Sequence, residues 1–444
     1  MPVSPARAGS LPASCGKSAE GHRNAQLVAS RARGLVAARE TVHHSTVAPA
    51  PSHEHRFALT PRGIASVSTS RQTPLHELHE AAGAQMAEVD GWLLPARYGA
   101  LAEEYAAVRT GAGVFDRSHL GAIELRGEGV GAWLRTLLAN DVARLDDGEA
   151  LLSCLCDEAG GVLDELIVCR LDEDRWLAIG SPLPPAPEPL PEPIVPGTSA
   201  GALFEASRPD SVTLSPRPES ALLAVQGPAA LEHATAALAH VLERAPALVR
   251  LERFDLLEAE DLVVLRSGRT GEDGVEILLP AEKVAHLWTA LLGAGAVPCG
   301  QEVHEVLRIE AGICRFGREL DALRTPVESG LGATVDLADP ERAFVGRETL
   351  EDQLEFGGCG ALVGLVYDGA GRREMRAGQS VQLAGRDVGT ISSATFSPTL
   401  ERSVALALVE RPFRGNCDVV IDAHPFPAST AVLPFVRGGG EMDD

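Results

Sequence analysis

No uninterrupted apolar run in these 444 residues approaches the roughly 18 positions that a membrane-spanning helix needs. The expectation is a soluble protein without a membrane partner. The apolar core of a secretory signal is missing as well. Lysine occurs only at Lys17 and Lys283, the other basic residues being arginine, and nothing functional follows from that bias. Eight cysteines are scattered with no CxxC and no Cys/His ligand spacing, so no metal site is expected. Cys154 and Cys156 are two apart on a strand-like run, where neighbouring side chains on one face do not close an ordinary disulfide. A reducing, cytoplasmic setting fits. Basic charge is also short: residues 1–72 hold nine Lys/Arg and three Asp/Glu, leaving 30 basic against 59 acidic in the remaining 372, a net of −29. That field repels nucleic-acid phosphate and argues against a nucleic-acid partner.

What is present is enough apolar residue, 45%, for more than one core in a chain of this length. Residues 1–72 lack a sustained period and large apolar side chains, and read as a disordered extension. Were they a transit peptide, the destination would be mitochondrial. The folded body is expected to start at TPLHELHEAAGAQM, with Thr73 as N-cap, Pro74 at the first helical position, and Leu75 and Leu78 buried. A helix LAEEYAAVRTGAG ends at Gly111 or Gly113, and another spans about 129–140. Strands ALLSCLCD and VLDELIVCRL join through EAGG. Residues 181–200 are a proline-dense break that excludes regular helix or inner strand. From 361 onward short strands spaced by turns predict a small β-barrel. The domains are therefore 1–72, 73–356 with the break at 181–200, 357–438, and a tail at 439–444.

The pair Asn140-Asp141 in LLANDVARL stands in apolar surroundings before a strand. Such a carboxylate is either a solvated helix-end residue or a reactive group held from water. Glu276 in GRTGEDGVEI lies between Val275 and Ile277, and alternation alone sends it away from their face.

GWLLPARY (91–98), GVFDRSHLG (113–121), LLANDVARL (137–145), EAGGVLDELIV (158–168), AVQGP (224–228), GRTGEDGVEI (268–277), LRIEAG (307–312), TPVESGLG (325–332), FVGRETL (344–350), SATFSPTL (393–400) and LPFV (433–436) run in order along the body. Together they resemble the glycine cleavage T-protein family, the folate-dependent aminomethyltransferases. The resemblance implies an α+β fold: folate-binding α+β lobes around a central channel, followed by a C-terminal small β-barrel. It implies tetrahydrofolate as co-substrate and the lipoylated H-protein as partner, in a monomer or weak dimer. An aminomethyl group on the lipoyl arm is attacked by N5 of tetrahydrofolate, ammonia leaves, and N10 closes the ring. Asp141 matches the family carboxylate that stabilises the cationic centre and assists proton movement, and Glu276 the glutamate on the pteridine edge, where two oxygens accept parallel N–H bonds. Tyr98, Leu120 and Val142 fall in phrases that line the folate channel, and Arg437 is placed near its mouth. His119 and Arg109 read as structural.

Two positions depart from the family pattern. His304-Glu305 stands where an Arg-Asp pair is usual, replacing a substrate-binding guanidinium, and Arg269 stands where an aromatic is usual. A guanidinium plane still stacks on a pteridine. Alternatives on the same fold are a folate-dependent demethylase of a dimethylglycine, sarcosine or sulfonium donor, a non-catalytic folate binder, and a scaffold without folate affinity.

Overall fold

The computed structural model describes residues 70–180, 200–239, 245–357, 360–369 and 373–438. Almost all of the expected N-terminal extension, the proline-dense break up to residue 199, and the tail lie outside these residues. The body begins slightly earlier than expected. Arg71–Gln72 forms a strand parallel to Trp92–Arg97, with the Arg71 guanidinium 4.4 Å from the Trp92 ring centre. Trp92–Arg97 also pairs with Gln85–Val89 through the two-residue turn Asp90-Gly91, both at positive φ (51° and 79°). This is the Asp-Gly hairpin turn whose twist matches that of its strands.

The first helix departs from expectation. It spans His76–Ala81 with Leu75, not Thr73, at its N-cap and no side-chain cap. Leu75 is buried, but Leu78 is exposed and His79 is buried instead. The helix turns this face inward because His79 finds polar partners there: Nε2 lies 2.9 Å from Asp116 and Nδ1 2.7 Å from the Tyr98 hydroxyl. The helix Leu101–Thr110 ends at Gly111 as expected. The helix expected over 129–140 is shorter, Val130–Leu134, and gives way to turns that take Leu138 into a bridge with Leu155.

Two sheets build the N-terminal region. One has the order 256–259, 262–266, 274–280, 220–226, 113–116, 297–298; the other 149–156, 162–172, 175–180, 121–126, 213–216. Their facing sides share an apolar layer including Ile167, Leu177, Leu222, Leu265 and Leu278. The outer side of the first packs on helices Ala230–Leu238 and Ala281–Gly293, and that of the second on Val130–Leu134 and Ala200–Ser207, where Trp133 meets Phe204 edge-on at 5.4 Å. Each lobe turns from strand into helix at a glycine of positive φ, Gly127 (132°) and Gly227 (128°). A Cβ there would come within 2.0 Å and 2.5 Å of a backbone oxygen, so both corners require glycine.

Because the first sheet is covered on both sides, alternation has a different outcome than in a half-exposed sheet. On Gly274–Pro280, Val275, Ile277 and Leu279 face the helices, and Leu278 faces the other sheet. Glu276 shares the inner face with Leu278 and is 1% exposed, not solvated.

The C-terminal strands close into a six-stranded barrel in the order 361–367, 402–409, 386–397, 380–383, 416–421, 424–431. Helix Gln301–Glu310 fastens it to the lobes: Ile309 packs with Val404, Leu406, Phe435 and Val436. At its end Glu310 accepts from the Tyr105 hydroxyl (2.7 Å), the Ser397 hydroxyl and Arg109, which also pairs with Glu272 at 2.5 Å. Arg109 is thus the structural ion-pair residue expected. Such enclosed charges are tolerable because every one is paired.

Candidate functional site

A cavity of about 330 Å³ opens where the two sheets, helix Gln301–Glu310 and the segment 313–317 meet. That is within the size range of small-ligand pockets. Its polar wall is built by distant pieces of chain.

The turn after strand Gly113–Asp116 presents Arg117, His119 and Leu120. It is held by backbone and side-chain bonds: Arg117 N–H donates to Leu222 O (2.8 Å), Ser118 N–H to Asp116 Oδ1 (2.9 Å) and Leu222 N–H to Ser118 Oγ (3.1 Å). Helix Gln301–Glu310 presents His304, whose ring meets Phe115 edge-on at 5.5 Å. Arg117 Nη1 donates to His304 Nε2 at 3.0 Å. An accepting Nε2 means a neutral ring with its proton on Nδ1. Burial first, then the charges of Arg117 and Arg308, hold the His304 pKa well below the usual histidine value. His119 is pushed down to about 3, again by burial and then by Arg117, so both histidines are neutral at physiological pH.

The loop before strand Gly274–Pro280 presents Arg269, its N–H donating to Gln226 Oε1 at 2.8 Å. The Arg269 guanidinium lies 3.9 Å from Glu165 and 3.8 Å from Glu276, and its Nε has no hydrogen-bond partner. Burial raises the Glu165 pKa, with Arg269 opposing the shift. Glu276 Oε2 accepts from Ser267 Oγ at 2.7 Å, while Oε1 is buried without a partner. Buried polar atoms are ordinarily paired. Unpartnered donors on Arg269 and Arg117 stand in a wall with Leu120, Leu163, Ile179 and Phe316, with the unpartnered acceptor of Glu276 behind Arg269, a set that suits a polar ring offering N–H and C=O groups.

Asp141 sits elsewhere. It N-caps the short 3-10 turn Val142–Arg144, accepting from Ala143 N–H at 2.9 Å. Arg135 grips it bidentately at 2.8 and 2.7 Å, and Arg342 lies 4.0 Å away. Burial works to raise its pKa, but these partners, Arg135 foremost, outweigh it and hold the carboxylate below its ordinary value.

Residues 75–184 and 197–339 match the family described as GCVT N-terminal domain, and residues 361–436 the glycine cleavage T-protein C-terminal barrel domain. The chain belongs to the glycine cleavage T-protein family. The interruption at 185–196 falls inside the proline-dense break. The chain is 40% identical to an aminomethyltransferase of Nitrosococcus oceani over 83% of its own length and 95% of that protein, and 40% identical to one of Alcanivorax borkumensis over 84% and 99%. Its fold is similar to the crystal structure of the glycine cleavage system aminomethyltransferase T from Bartonella henselae, with a TM-score of 0.74 and 29% identity over 84% of this chain and 99% of that one.

Of the T-protein positions expected to bind ligand, Leu120, Arg269 and His304 line the cavity, and Glu276 stands behind Arg269. Like Glu276, three more do not line it. Val142 is wholly buried in an apolar cluster with Leu138 and Leu155. The Tyr98 hydroxyl is occupied by His79, and its ring lies beside Trp288. Arg437 is exposed beyond Val436, away from the cavity wall. Asp141 is likewise outside the lining. Sequence reasoning passed over Arg117 and Glu165. The available signal was a charged residue inside the phrase GVFDRSHLG, between positions that its neighbours bury.

Proposed function

We infer that this protein is the aminomethyltransferase of the glycine cleavage system, passing the one-carbon unit of the aminomethyl-lipoyl H-protein to tetrahydrofolate with release of ammonia. The single observation that carries the site is the buried, unpartnered Oε1 of Glu276, whose other oxygen, Oε2, lies 3.8 Å from the unpartnered Nε of Arg269. A glutamate with one oxygen fixed by Ser267 and the other open accepts from the 2-amino-4-oxo edge of a pteridine, and the Arg269 plane offers a stacking or donor surface against it. The aminomethyltransferase name of the relatives favours the lipoyl-bound donor over a dimethylglycine, sarcosine or sulfonium one.

Asp141 we assign to electrostatic stabilisation of the cationic centre. Paired with Arg135 and with its pKa lowered, it is ionised at neutral pH and therefore a stabiliser or base, not a proton donor. The bacterial relatives favour a cytoplasmic setting, and the six cysteines among the described residues are free and buried, in keeping with a reducing compartment.

The test is a reconstituted reaction of purified protein, tetrahydrofolate and aminomethylated H-protein, following methylenetetrahydrofolate and ammonia together. Formation of both in equal amounts is the expected result. Folate binding with neither product would move the donor assignment to another amine.

A further inference from the structure

Arg117 is an enclosed guanidinium with no counter-ion. Its Nη1 is spent on His304, its Nε is covered and unpartnered, and no carboxylate among the described residues lies within the 4.0 Å of an ion pair. The other cavity arginines differ. Arg308 is paired with Glu305 (2.8 Å) and Glu319 (3.1 Å), Arg315 with Asp90 (2.6 Å), and Arg269 has two acids just beyond hydrogen-bond reach. His304 cannot serve as counter-ion because it is neutral. Burial, followed by repulsion from Arg269, lowers the Arg117 pKa to about 10, which still leaves it charged at neutral pH. An enclosed charge without a partner is costly, and a cavity wall is where a ligand can offset that cost.

The geometry fixes what kind of ligand. With Nη1 held by His304 and Nε covered, Nη2 is the donor left for a ligand, and a carboxylate oxygen meeting it completes a charge-assisted hydrogen bond. His304 is then a positioning residue that fixes the guanidinium in the cavity wall. We propose that Arg117, with Arg269 beside it, is the carboxylate-binding residue of this cavity, so that the ligand completes the ion pair the fold leaves open. Two sources can supply the carboxylate: the glutamyl tail of the folate, an arm that rests on the function inferred above, or a small amino-acid donor, which does not.

The test compares wild type with Arg117→Met and Arg117→Lys by calorimetric titration with tetrahydrofolate and with tetrahydropteroate, which lacks the glutamate, and by thermal shift with glycine and dimethylglycine. The Met variant is expected to lose roughly 10- to 100-fold in affinity for one carboxylate ligand, with Lys recovering part of it. Loss for tetrahydrofolate alone, matched by a wild-type preference for it over tetrahydropteroate, assigns the glutamyl tail. Unchanged binding of both pterins with loss of the amino-acid shift assigns the small donor. The ligand-free Met variant should melt no lower than wild type, because it removes an uncompensated charge. A markedly lower melting temperature, or wild-type affinity for every probe, overturns the proposal. If the Met variant does not fold, the Lys variant decides: it keeps the charge but not the guanidinium that His304 orients, and unchanged binding by it overturns the proposal. Wild-type protein that ignores both pterins yet responds to the amino acids through Arg117 would sink the inferred function while leaving this assignment standing.

Discussion

Replacing Glu276 by glutamine tests the proposed folate site with little change of shape. The residue is 1% exposed, one carboxylate oxygen accepts from Ser267 Oγ at 2.7 Å, and the other is buried without a partner. Glutamine keeps an oxygen for Ser267 but turns an NH2 toward the unpartnered side, where the proposed pteridine edge would also present N–H groups. Two donors then face each other, and the charge that strengthened the contact is gone. A hydrogen bond to a charged group contributes about 1.5–3 kcal/mol, so Kd should rise by roughly 10- to 150-fold. Alanine should cost about 1–3 kcal/mol by losing the same bonds, although the space it leaves admits water. Tetrahydrofolate titration followed by fluorescence quenching reads both variants, and a melting curve without ligand confirms that each is folded. Glutamine binding within twofold of wild type would refute the reasoning, because it would mean that Oε1 does not meet the ring.

Asp141→Asn should leave folate affinity nearly unchanged while slowing turnover tenfold or more, and unchanged turnover would remove Asp141 from the mechanism. Since its folded pKa is depressed, its ion pair with Arg135 stabilises fully above the unfolded carboxylate value near 3.9 and is lost as pH falls through the lower folded value; the Asn variant should lack that part of the acid transition. His119 and His304 have the same sign for a different reason: both resist protonation in the fold, so the unfolded chain takes up protons first, and the urea midpoint should decline as pH drops below about 6.5. His304→Arg would set a second guanidinium against Arg117 and should destabilise the ligand-free protein by more than about 2 kcal/mol in urea unfolding. A chain beginning at Thr73 should melt below one beginning at Ser70, because it loses the Arg71–Gln72 strand and the contact of Arg71 with Trp92, of order 1 kcal/mol.

What could be read from sequence was what is local. Asp90-Gly91 between two apolar runs names its own hairpin turn, Gly111 ends its helix, and the short C-terminal strands announce a barrel. Leu78 and His79 were misjudged because an apolar period puts leucine inside, whereas the partners that draw His79 in, Tyr98 and Asp116, are 19 and 37 residues away. Asp141 lay between the two readings its surroundings allowed: it does cap a turn, as a bland carboxylate would, yet Arg135 also holds it charged. Alternation placed Glu276 opposite Val275 and Ile277 correctly but could not say that a second sheet covers that face. Burial on both sides turns a polar position of ordinary appearance into an enclosed carboxylate with one oxygen unpartnered.

His304 and Arg117 illustrate why a departure from a family pattern is best weighed in space. Taken alone, histidine at 304 loses a fixed charge and a bidentate fork. In the fold its Nε2 stands 3.0 Å from the Arg117 guanidinium, on a turn anchored to Leu222 and 187 residues distant in sequence. A charged side chain at both positions would repel across that gap, while a neutral imidazole accepts a hydrogen bond and orients its neighbour. Histidine at 304 and arginine at 117 are therefore one choice made at two places: the wall of the cavity keeps a guanidinium, carried by the turn instead of the helix. Arg269 lies close enough to lower the proton affinity of Arg117, so adding a third cation here is unfavourable unless an anion enters. The same electrostatics that makes the ligand-free wall costly makes it selective for a ligand that brings negative charge.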